Sequence, residues 1–77
     1  MESPSAAITT MEQRYKYALS LLVEQKYIIA IKEFESIINT APDSEYAEVS
    51  QINIGRTYFL NGDYKRALKA YEKVLEK

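Results

Sequence analysis

The sequence predicts an all-α fold: four helices joined as two antiparallel hairpins, the second repeating the first. Three observations carry that prediction. Tyr64 to Val74, YKRALKAYEKV, sets Tyr64, Ala67, Tyr71 and Val74 on one side of a helix; Tyr27 to Ile37, YIIAIKEFESI, does the same with Tyr27, Ala30, Phe34 and Ile37. The two sets stand 37 positions apart, Tyr27 to Tyr64 and Ala30 to Ala67, so the chain contains an internal repeat. A small residue between two rings, at steps of three and four, marks a helix that meets another closely. The second observation is composition: two glycines, two prolines and 47% apolar residues describe an ordered, helical chain. The third is punctuation, concentrated at Ala41-Pro42-Asp43-Ser44 and Asn61-Gly62-Asp63.

Taken in order, residues 1–9 carry Ser3, Pro4 and Ser5 with little apolar periodicity and read as a mobile tail. Residues 10–77 form the domain, with repeat one over about 11–42 and repeat two over about 45–77. Thr10 followed by Gln13 fits a capping box, so a first helix is expected from Met11 to about Gln25. Its apolar face of Tyr15, Ala18, Leu21 and Leu22 is widened by Leu19 and Val23, beyond what one neighbour covers. Gln25-Lys26 is a tight link, which folds the second helix, Tyr27 to Asn39 or Thr40, back on the first. Pro42 then restricts Ala41, and Asp43 or Ser44 caps a third helix over Glu45 to Leu60. Gly55 inside that helix costs roughly 1 kcal/mol relative to alanine, and a close neighbouring helix is the expected compensation. Asn61-Gly62 tolerates the left-handed conformation of a C-terminal cap, and Asp63 caps a fourth helix expected to reach Lys77.

Size and composition bound the function. At 77 residues the chain is near the lower limit for a self-sufficient core. It has neither cysteine nor histidine, which removes disulfides, thiolate metal sites, the usual zinc ligand and the commonest general base. Ser36, Ser44 and Ser50 have no histidine to activate them; Glu33 and Glu35, two apart, point to different sides of a helix. Gly55 and Gly62 belong to no phosphate-cradling loop. No enzyme and no cofactor are expected. A net charge of −1 argues for neither nucleic acid nor an anionic membrane, and no apolar run approaches the ~18 residues of a membrane span.

The second unit contains Ile54-Gly55, Tyr58, Ala67 and Tyr71, and the first contains Tyr17-Ala18, Leu21, Ala30, Phe34 and Pro42. This resembles the tetratricopeptide repeat (TPR), whose pattern is W-x2-L-G-x2-Y, then A-x3-F, then P. Arg14 and Gln51 stand where tryptophan is expected, and the offset of 37 exceeds the family's period of about 34, the extra residues lying around Asp43 to Val49. The Pro42-x-Ser44-x-Tyr46-Ala47 wording is similar to bacterial envelope members, outer-membrane assembly lipoproteins and Tol-associated periplasmic proteins among them. That wording implies a periplasmic setting for a mature or truncated fragment; the N-terminus shows no signal peptide, which on its own implies a cytoplasmic one.

The resemblance implies a short right-handed superhelical stack, with the first helix of each hairpin lining a concave face. The family's groove positions fall on Glu12, Tyr15, Leu19 and Leu22 in unit one and on Val49, Ile52, Arg56 and Phe59 in unit two. Tyr15, Leu19 and Leu22 do not supply the lysines and asparagines of the family's dicarboxylate clamp. An apolar groove suits a protein partner presenting an amphipathic helix or an extended peptide. The alternative is structural. Repeat arrays usually need about three units, so the uncapped last helix, with Leu68 and Leu75, is expected to meet another copy or the rest of a longer protein. Five tyrosines, Tyr17, Tyr27, Tyr58, Tyr64 and Tyr71, fall on repeat core places rather than forming a stacking surface. Lys65, Lys69, Lys73 and Lys77 recur every four residues, facing an acidic partner, nucleic-acid phosphates or solvent; the near-zero net charge favours solvent.

Overall fold

A computed structural model describes residues 10–76, and the tail expected over residues 1–9 lies outside that range, as does Lys77. Four helices follow in order: α1 Met11–Val23, α2 Tyr27–Thr40, α3 Glu45–Leu60 and α4 Tyr64–Leu75. Each packs on its neighbour in sequence, and α1 also reaches α3. Because α1–α2 and α3–α4 are joined by three-residue links, each pair is an antiparallel hairpin.

The caps explain the boundaries. Thr10 holds an extended backbone and its hydroxyl accepts the Gln13 N–H at 3.1 Å, starting α1. The helix ends at Val23, two residues before the expected Gln25, because Gln25 is left-handed with φ 63°. Its N–H bonds the Leu22 carbonyl at 3.0 Å, and the Lys26 N–H bonds that of Leu21 at 2.9 Å. This is a Schellman turn. The second hairpin repeats it 37 positions later: Gly62, φ 82°, donates to Phe59 at 3.0 Å and Asp63 to Tyr58 at 2.9 Å. Only there does glycine supply the left-handed conformation without strain.

Of the two candidate caps for α3, Ser44 is the one used. Its hydroxyl accepts the Ala47 N–H at 3.1 Å and donates to the Ala41 carbonyl at 2.7 Å. Asp63 caps α4 by accepting the Arg66 N–H at 3.2 Å, and its other oxygen holds the Arg66 guanidinium at 2.8 Å.

The core is one cluster of Ala18, Leu21, Ala30, Ile31, Phe34, Ile54 and Ala70, drawn from all four helices. The expected close approach at Gly55 is present. A Cβ there would lie 2.7 Å from two ring carbons of Tyr71 on α4, so the glycine makes room for that ring.

Two tyrosines depart from expectation. Tyr64 is 63% exposed and Tyr71 37% exposed, although both occupy repeat core places. The reason is coverage: α3 packs over α2 and seals Phe34 and Ile31, whereas among the described residues nothing lies on the far side of α4. Leu68 and Leu75 are left exposed for the same reason.

Candidate functional site

Glu12 pairs with Lys16 at 3.1 Å, and the other seven groove positions divide into two groups. At the seam between α1 and α3, Tyr15 is half-buried, its ring 5.9 Å from Phe34 and 5.8 Å from Tyr46. Its hydroxyl accepts a hydrogen bond at 2.6 Å from the Asn53 side-chain amide, which also donates to the Val49 carbonyl at 3.0 Å. Tyr15 and Val49 are thus brought together through Asn53. Leu19 and Leu22 are half-buried and pack against the core cluster.

Along α3, Ile52, Arg56 and Phe59 are exposed, at steps of four and three that align them in one stripe. The Phe59 ring lies 5.1 Å from that of Tyr64 and continues the stripe toward α4. Ile52 is 41% and Phe59 56% exposed, which leaves apolar surface on a well-capped helix. Val23 and Leu60, both exposed, add to the apolar surface at the turn ends of α1 and α3. Val23 belongs to the apolar width of the first helix that exceeds what one neighbour covers, whereas no sequence signal singled out Leu60.

Asn53 is the residue that sequence reasoning missed. It is a buried polar side chain whose repeat counterpart is the exposed Lys16, so the internal comparison gave no hint of its bridging role. Its neighbours on the same side of α3, Ser50 and Thr57, are also buried. The Thr57 hydroxyl donates to the Asn53 carbonyl at 2.6 Å, while the Ser50 hydroxyl has no partner among the described residues. These small polar residues let α3 sit close to the first hairpin.

A second concavity lies between α2 and α4, about 480 Å³ in volume, over a floor of Ile38, Ile54, Tyr58 and Ala70. Its α4 wall carries Arg66, Lys69 and Lys73, and its other polar side chains are Glu35, Asn39 and Gln51. Two members of the lysine series therefore border a groove, in company with Arg66 rather than Lys65. Among the described residues no group of three or more acidic side chains is placed to hold a metal ion. Among the described residues no helix is long and apolar enough to cross a membrane.

Comparison with known proteins agrees with the hairpin pair. A family model for the tetratricopeptide repeat matches residues 6–77, nearly the whole sequence. No curated protein and no solved structure gives a significant match. Helical repeats of this family are, in general, protein–protein interaction modules. With two helix-turn-helix units, Gly55 packed under the Tyr71 ring in the second, and a family match over both, the chain belongs to the tetratricopeptide-repeat family.

Proposed function

We propose that the chain is a non-enzymatic interaction module that takes a peptide or amphipathic helix against the apolar surface of α1 and α3. Ile52, Arg56 and Phe59 supply the contact, Leu19, Leu22 and Val49 border it, and Tyr15 fixes the seam. The observation that carries this reading is the exposure of Ile52 and Phe59 in one stripe, where a packed helix would otherwise place polar residues. The occupant inserts an apolar side chain beside Phe59, and Arg56 adds a charged hydrogen bond at the rim.

The test is selection from a random peptide display library, followed by titration of an enriched peptide. Phe59→Glu, at an exposed position, is expected to weaken binding by at least about tenfold while circular dichroism stays unchanged. Retained affinity in that variant, or no enriched peptide, rules the reading out.

A second reading, self-assembly through the outer side of α4, rests on one observation. Leu68 and Leu75 are 61% and 83% exposed where their counterparts Ile31 and Ile38 are buried and half-buried. Sedimentation equilibrium from micromolar to millimolar concentration separates the two. A monomer throughout leaves the peptide reading alone; a dimer that Leu68→Lys dissolves establishes assembly.

A further inference from the structure

The groove between α2 and α4 lies away from the α1–α3 surface and calls for a separate account. Arg66, Lys69 and Lys73 follow one another at steps of three and four, so all three project from the same flank of α4. The repeat does not demand all of them. Their counterparts in α2 are Ile29, Lys32 and Ser36, and Ser36 is occupied in bonding the Arg14 guanidinium. Arg66 and Lys73 are therefore features of this groove, while Lys69 keeps a cation that the first hairpin also carries.

Their charge is only partly met. Arg66 is tied to Asp63 at 2.8 Å, but among the described residues Lys69 and Lys73 form no ion pair, and Glu35 does not bridge to either. Two lysines one turn apart repel each other, which destabilises a helix slightly unless a counter-charge lies between them. Opposite them the chemistry changes. Glu35 and Asn39 offer acceptors, and Gln51, whose amide nitrogen donates to the Ala70 carbonyl at 3.1 Å, keeps its oxygen as another. Between the two sides runs the apolar floor of Ile38, Ile54 and Tyr58.

We propose that this groove binds an extended acidic peptide segment of another protein. Carboxylates of the segment pair with Lys69 and Lys73, its backbone N–H groups meet Gln51, Asn39 and Glu35, and an apolar side chain rests on the floor. The spacing fits. Lys69 and Lys73 are separated by about 6 Å along the helix axis. Alternate side chains of an extended peptide are separated by about 6.6 Å, so carboxylates two residues apart reach both lysines. Nucleic acid fits less well. Tyr58 is the one aromatic ring on the floor, too few for a stacking platform.

The experiment is fluorescence anisotropy of the full chain with a short labelled peptide of alternating Glu and Leu, at low and at moderate salt. The expected result is saturable binding that weakens about tenfold in Lys69→Gln/Lys73→Gln, in part in Lys69→Gln alone, and by less than about twofold in Lys65→Gln. Lys65 is on the same helix but borders no part of the groove, so it reports unspecific charge attraction. Phe59→Glu leaves binding in place, which separates this groove from the α1–α3 surface. The proposal is overturned by equal loss in Lys65→Gln, by equal binding of a peptide with Gln for Glu, or by no saturation below about 1 mM. Tighter binding of a uridine oligomer than of the peptide overturns it as well, in favour of nucleic acid.

Discussion

Phe34 and Tyr71 occupy equivalent places, 37 positions apart, yet Phe34 is fully buried and Tyr71 is 37% exposed. The same contrast runs along both second helices: Ile31 against Leu68, Ile38 against Leu75. Both hairpins carry a small buried residue at the same place of their first helix, Ala18 in one and, beneath the Tyr71 ring, Gly55 in the other. What differs is whether another helix lies on top. In a repeat, register decides which residue points where, but burial is decided by the next unit along.

The largest expected effect comes from removing the two rings in turn. Phe34→Ala should cost about 3–5 kcal/mol, a large part of what so small a domain holds, and Tyr71→Ala closer to about 1 kcal/mol. Urea titration followed by circular dichroism reads both. Equal losses would mean that α4 is covered in solution, which brings self-assembly to the front.

An intermediate effect sharpens the account of Gly55. Gly55→Ala should destabilise the chain, because the new methyl meets the Tyr71 ring at 2.7 Å. In a Tyr71→Ala background the same change should stabilise by about 0.5–1 kcal/mol, since only helix propensity is left. A double-mutant cycle that shows no coupling would refute the packing explanation of this glycine.

The smallest effect compares the two Schellman turns. Gln25 pays the steric cost of a left-handed backbone that Gly62 avoids. Gln25→Gly should raise stability by about 0.5–1 kcal/mol, and Gly62→Ala should lower it by about 1 kcal/mol, with no side-chain contact involved. Thermal melts of the pair, run side by side, test whether conformation alone sets the difference.

The fold was legible because it rests on local signals. Thr10, Ser44 and Asp63 announce three helix starts, and the bounds of α3 follow from Ser44 and Asn61-Gly62. The end of α1 was misjudged because a glutamine does what a glycine usually does, and side-chain identity alone does not reveal its φ. The exposure of Tyr64 and Tyr71 was hidden for another reason. Periodicity names a face without saying whether anything will cover it. The surfaces were harder still. Asn53 has no counterpart of its own kind in the first repeat, and a period of four among lysines obscured the steps of three and four that line the groove with Arg66, Lys69 and Lys73.

The order of packing also has a kinetic consequence. The strongest helix contacts join neighbours in sequence, and the hydrogen bond between Asn53 and Tyr15 spans just 38 positions. Little loop entropy must be lost before a hairpin gains its contacts, so either hairpin can form first and template the other. Folding by this route is expected in the microsecond-to-millisecond range of helical proteins, with the docking of α3 onto α2 as the step that commits the chain.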